Sequence, residues 1–223
     1  MNKAVNLVVA AALAALATGC ASANANEKAS TGSARELAEV AGRGVDGDYS
    51  PLASPKEAVG EADLIVQGTL VEVGAGIQVS YPDAAQTKQE SDGYATFVIA
   101  VDKVLDGDAS RVVDGKVYVA VRKGVATTPE QLSALNPRAS VVAVLDDITT
   151  WRPVPEATVV RPAGIPAAGP LYYAYHDGLW LQGTQDDQMY GIDVEHEELT
   201  PAWGGVREVE DLATTLEKAA ATG

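Results

Sequence analysis

The chain reads as a mainly β protein: a small OB-like or Greek-key β-barrel with short helices and a C-terminal amphipathic helix. Two long strand-like stretches, EADLIVQGTLVEV from Glu61 and YATFVIAVDKVLDGD from Tyr94, frame a polar loop. Further short apolar runs follow, separated by turn and capping signals. The order strand, loop, strand, turn, strand, short helix, strand is that of a five-stranded Greek-key barrel.

Taken in order, Ser54-Pro55-Lys56-Glu57 starts a short helix into Ala62, with Ser54 as N-cap and Glu57 placed for a capping box. Leu64–Val73 is the first strand. Beyond Gly68 it alternates, with Thr69, Val71 and Val73 on one face and Leu70 and Glu72 on the other. A glycine where the pattern changes predicts a bulge or bend. Gly74–Gly93 is a polar loop long enough to suggest function or mobility. In the second strand Phe97, Ile99, Val101 and Leu105 share a face, and Asp106-Gly107-Asp108 turns the chain.

Lys116–Arg122 alternates with Val117, Val119 and Val121 inward. Thr128-Pro129-Glu130-Gln131 is a second capping box, opening a helix to Leu135, and Val141–Asp146 is another strand. Ile148 to Pro170 is a crossing stiffened by Pro153, Pro155, Pro162, Pro166 and Pro170. Leu171–Tyr175 and Leu179–Gln182 flank His176-Asp177-Gly178, a hairpin signal. Met189–Val194 places Tyr190, Ile192 and Val194 on one face of a strand. Val206, Val209, Leu212, Ala213 and Leu216 recur at helical spacing with Glu208, Glu210, Asp211 and Glu217 opposite, as on an amphipathic helix covering the barrel or a sheet edge.

The N-terminus carries an address. One basic residue, Lys3, precedes an apolar run from Ala4 to Ala17, too short to span a bilayer and of signal-peptide length. It ends in Ala17-Thr18-Gly19-Cys20, which resembles the lipobox of bacterial lipoproteins. The resemblance implies cleavage before Cys20, lipidation of its sulfur, and a protein held at the extracytoplasmic side of a membrane. Cys20 is the only cysteine, as expected of an exported thiol consumed by acylation. Residues 1–19 are therefore expected to be a signal peptide, and 20–53 a lipidated cysteine with a flexible tether. Residues 54–222 are expected to form one barrel domain. Within the tether, Ala34–Ala41 has a brief helical pattern through Leu37 and Val40, broken by Gly42, Gly44 and Gly47.

Ala62-Asp63-Leu64-Ile65-Val66-Gln67-Gly68-Thr69-Leu70, followed by Val104-Leu105-Asp106-Gly107, resembles a set of uncharacterised, small, β-rich exported bacterial proteins. The resemblance covers roughly residues 61–146. It implies a fold and no particular activity.

Charge excludes some partners. Cleavage would leave 15 basic and 31 acidic side chains, a formal charge of −16. Such a surface repels nucleic acid and anionic headgroups. Membrane attachment is thus expected through the lipid on Cys20, with an envelope protein or a small ligand as further partners.

Catalytic signals are weak. There is neither a Gly-x-Ser-x-Gly elbow nor a Ser-x-x-Lys pair, and the two histidines, His176 and His196, sit in polar contexts that suggest solvent exposure. An enzyme would need a noncanonical site with a perturbed carboxylate such as Asp146 or Asp147. No cofactor or metal is expected. Glu195-His196-Glu197-Glu198 cannot converge on one ion. Asp46, Asp48, Ser50, Leu52, Ser54 and Glu57 mimic calcium-loop spacing, but Pro51 stands where the sharp turn needs glycine.

The aromatics are more informative. Seven of twelve lie between Trp151 and Trp203. Trp151, Tyr173, Tyr175, Trp180 and Trp203 form a candidate ligand-binding set, with core filling as the competing role. The expected function is a lipid-anchored binding or interaction module, with an exported hydrolase-type enzyme or a structural accessory protein of the envelope as alternatives. Its working face would join the loop Gly74–Gly93, the Pro-rich crossing and the aromatics.

Overall fold

The computed structural model describes residues 33–43, 50–81, 93–136 and 138–222. Cys20, the expected signal peptide, most of the expected tether and the middle of the Gly74–Gly93 loop lie outside them. So do Asp46 and Asp48 of the calcium-loop pattern. No helix among the described residues is long and apolar enough to cross a membrane.

The helices are α1 (Ala34–Gly42), α2 (Pro55–Glu61), α3 (Pro129–Leu135) and α4 (Val209–Ala220). The strands are β1 (Leu64–Ala75), β2 (Gln78–Ser80), β3 (Tyr94–Gly107), β4 (Lys116–Arg122), β5 (Ser140–Asp147), β6 (Thr158–Val160), β7 (Tyr172–Gln182) and β8 (Tyr190–Gly191). The main sheet runs β4-β3-β1-β5-β7-β8, and a parallel pairing of β4 with β7 closes its first five strands into a barrel. β1 thus pairs with both β3 and β5, and α3 lies between the third and fourth barrel strands. This is the connectivity of an OB-type barrel.

Alternation builds the interior. Val117, Val119 and Val121 from β4 point inward with Val141, Ala143 and Leu145 from β5 and Phe97 and Ile99 from β3. Bulges interrupt the β1–β3 ladder in three places. Gly68 sits at a register shift against β3, where an added Cβ would lie 2.1 Å from the Ala100 carbonyl oxygen, so only glycine fits the bend. A second shift lies between Leu70 and Glu72, and it lets Leu70 and Val73 both face the core. A third, opposite Ile65 and Val66, turns Leu105 outward, away from the face it was expected to share with Phe97 and Ile99.

The domain begins earlier than residue 54. Ser33 Oγ caps α1 by accepting from the Glu36 N–H, and Ala34, Leu37, Ala38 and Ala41 are buried in the main core beside Leu132 of α3. The short periodicity at Leu37 suffices because α1 has a barrel end to pack on. Thr128 and Gln131 complete the expected capping box of α3. At α2 the Ser54 cap forms, but Glu57 accepts from the Ala53 N–H, one residue before the cap.

The Asp177-Gly178 hairpin does not form. β7 is one strand, and Tyr175–Gly178 bulge opposite the single residue Val144 of β5. Local bonds hold the bulge. The Asp177 carboxylate accepts from the buried Leu52 N–H at 2.8 Å, and its carbonyl accepts from Trp180 Nε1 at 2.7 Å. Of Met189–Val194, only Tyr190 and Gly191 pair with β7 as strand.

Two layers cover the outside of the barrel. α2, α4 and the segment before α4 bury Ile65, Val142, Val144 and Trp180 beneath Leu212, Ala213 and Leu216. On another side, β2 and β6 form a separate two-stranded sheet, with Gln78 opposite Val160 and Ser80 opposite Thr158.

Candidate functional site

The β2–β6 pairing joins two segments that are far apart in sequence, the β1–β3 connection and the Pro-rich β5–β7 crossing. Beneath it Ile77, Ile165 and Leu171 are buried on Ala120, with Tyr94, Tyr118, Ile148 and Val159 packed around them. Tyr118 and Ala120 alternate with the inward valines of β4. The loops therefore sit on the outer face of the barrel's second and third strands. In barrels of this type that face receives oligonucleotides and oligosaccharides; here it is filled by the chain's own side chains.

The crossing is held from within. Arg161 Nη1 donates to the carbonyls of Pro166 at 3.0 Å and Gly169 at 2.5 Å, and the Leu171 N–H donates to Thr149 Oγ1. Its outer surface is apolar and open, with Trp151 36% exposed, Val154 41% and Val160 47%. Val159 turns inward between the exposed Thr158 and Val160, as a strand requires. A cavity of about 390 Å³ lies beside β2, lined by Gln78, Tyr94, Lys123, Val125 and the start of α3.

The five candidate aromatics separate. Trp151 is on the open surface of the crossing. Trp180 and Trp203 are 1% and 2% exposed, so they are core and not a binding face. Trp203 Nε1 donates to the Leu52 carbonyl at 2.9 Å, which satisfies its one polar group. Tyr175 donates its hydroxyl to the Glu61 carbonyl at 2.9 Å. Tyr173 is half-buried; burial, then the Tyr94 hydroxyl, pushes its phenol up to about 12 against the pull of Arg122. Tyr173 and Tyr175 line a crevice of only about 10 Å³. That volume holds no more than one water.

Both histidines are half-buried, contrary to the solvent-facing expectation. His176 Nδ1 lies 3.7 Å from Asp193 Oδ2, and His196 Nε2 meets the Val206 carbonyl. Burial pushes Asp193 above the ordinary carboxylate value while His176 and Arg122 pull it down. Asp193 also lines an open groove of about 710 Å³ between α1 and residues 187–198, where Arg35 and Arg43 face mostly acidic side chains. No group of three metal-ligating side chains occurs among the described residues.

Asp146 and Asp147, the carboxylates suggested for an enzyme, meet Asp63 at the start of β1. Burial, then a hydrogen bond and charge from Asp63, raises Asp146. Arg111 pairs with Asp147 and lies 3.7 Å from Asp63. Asp63 Oδ2 accepts the Asp147 N–H at 2.8 Å, so the cluster joins strand ends. The described cavities are lined by other residues.

No protein-family model, no curated protein and no solved structure matches this chain. Two functional candidates escaped the residue patterns, Arg152 and Arg161. A signal was present: residues 148–171 carry two arginines and one acid, Glu156, within a chain of net charge −15.

Proposed function

We propose that the chain is a lipid-anchored extracytoplasmic protein whose barrel domain is a binding module working through the platform of residues 76–81 and 148–170. The observation that carries this is the β2–β6 pairing. It builds two remote segments into one surface and leaves Trp151, Val154 and Val160 open on it. Exposed apolar side chains grouped on one element suit a partner better than a lone exposed residue would. The anchor is the lipid on Cys20, supported by the Ala17-Thr18-Gly19-Cys20 pattern and the absence of any second cysteine.

The anchor is tested by expressing the full chain beside Cys20→Ala, fractionating membranes and reading the N-terminal peptide by mass spectrometry. An acylated, membrane-bound native form and a soluble variant are expected. If both forms are soluble, the lipoprotein reading fails. The platform is tested by Trp151→Ala, which is expected to lose captured partners while keeping the fold.

A further inference from the structure

The charge of the platform runs against that of the molecule. Several cations elsewhere have carboxylate partners: Arg35 with Glu39, Lys103 with Glu217, and Arg111 with Asp63 and Asp147. Among the described residues Arg152 and Arg161 have none, and donate only to backbone carbonyls of their own segment. They lie near enough for the Arg152 charge, after burial, to lower the affinity of Arg161 for its proton. In a chain with 31 acidic side chains the crossing carries two arginines and one acid, the exposed Glu156, and both guanidiniums lack a carboxylate partner among the described residues.

Two further features surround them. Trp151 precedes Arg152, and Val154 and Val160 are exposed on the same crossing. β6 is paired with β2 on one edge, and no ladder occupies its other edge among the described residues. An open strand edge offers backbone donors and acceptors to an extended chain. An unneutralised guanidinium beside an aromatic selects carboxylates on that chain.

We propose that this face docks an extended acidic segment of a partner protein. The segment would add beside β6, with its carboxylates on Arg152 and Arg161 and its apolar side chains on Trp151, Val154 and Val160. The inference rests on the binding-module reading and names the partner's chemistry. An anionic lipid surface is the weaker occupant, because the free edge of β6 suits backbone hydrogen bonds to an extended chain, which headgroups cannot supply.

The test uses the purified full chain, with a ten-residue peptide of alternating Glu and Val as probe and its Lys–Val counterpart as control. Trp151 fluorescence reports binding, because Trp180 and Trp203 are shielded. The Glu–Val peptide is expected to bind, the Lys–Val peptide not, and Arg152→Glu to weaken binding about tenfold. Arg152 makes one bond, to the Trp151 carbonyl, so unchanged circular dichroism and melting in that variant certify the fold. Arg161→Lys keeps a cation but loses the planar fork, and a smaller weakening is expected. Equal binding of both peptides, or binding indifferent to Arg152, overturns the docking site. So does Arg152-dependent binding to phosphatidylglycerol vesicles without peptide binding, or Arg152-dependent self-association in sedimentation. The Cys20→Ala fractionation is scored separately, so loss of the anchor and loss of the docking site remain distinguishable.

Discussion

One side of the barrel is covered by helices and another by loops, and the two coverings differ in depth. Under α2, α4 and the segment before α4, fifteen side chains are buried among the described residues, including Trp180 and Trp203 with their N–H groups satisfied. Under the β2–β6 platform four are buried, and three-residue strands hold the cover together. The helical side resembles an extension of the core. The loop side resembles a lid of low local stability, the kind of region from which binding surfaces are drawn.

The sharpest way to break the comparison is to cut equally sized holes on both sides. Leu216→Ala, at a fully buried position on the inner face of α4, is expected to cost about 3–4 kcal/mol, read as a shifted denaturation midpoint. Ile165→Ala beneath the platform is expected to cost about 2 kcal/mol or less, because Ile165 is already 8% exposed and a thin layer can collapse. Equal losses would mean that the loops are core. Hydrogen exchange gives the same comparison without mutation. Amides of Val79 and Val159 are expected to exchange by local opening, well before those of Val142 and Val144 in β5.

A smaller effect comes from pH. Asp177 lies beneath the helical cover; burial raises its carboxyl above the ordinary 3.8, opposed by bonds from the backbone and by His176. Its Oδ1 and that of Asp193 are buried without a hydrogen-bond partner. A carboxyl held above its unfolded value adds stability that is complete below that value and lost as pH rises through the folded one. The melting temperature is therefore expected to rise as pH falls from 7 toward the carboxylate range. Asp177→Asn should flatten part of that rise and leave the Leu52 N–H an acceptor. The smallest effect is expected at Trp151→Ala, within about 0.5 kcal/mol of the native stability, since Trp151 is an exposed side chain.

The strands of the barrel were legible because each buries one face and alternation follows. β4 and β5 lie within a residue of their expected bounds, and Thr128 and Gln131 made α3 readable from local bonds alone. Where the structure departs from the local pattern, a tertiary contact is the cause. Asp177-Gly178 has hairpin chemistry, yet both its flanks pair with β5 and a distant N–H from Leu52 occupies the carboxylate. Leu105 follows the alternation on paper and leaves it at a bulge set by β1. α1 is too short to hold itself and is held by the barrel end.

The candidate site divides the same way. The sequence by itself determined the charge, the single cysteine, the proline-stiffened crossing and the cluster of aromatics, because composition and local spacing need no partner to be read. Only the tertiary structure decided which aromatics are buried, since burial of Trp180 and Trp203 depends on α4 and Leu52, far away along the chain. It alone placed β6 on β2, with Trp151, Val154 and Val160 exposed on the crossing. Strand pairing between remote segments is a contest among all available edges, and no local pattern records its outcome.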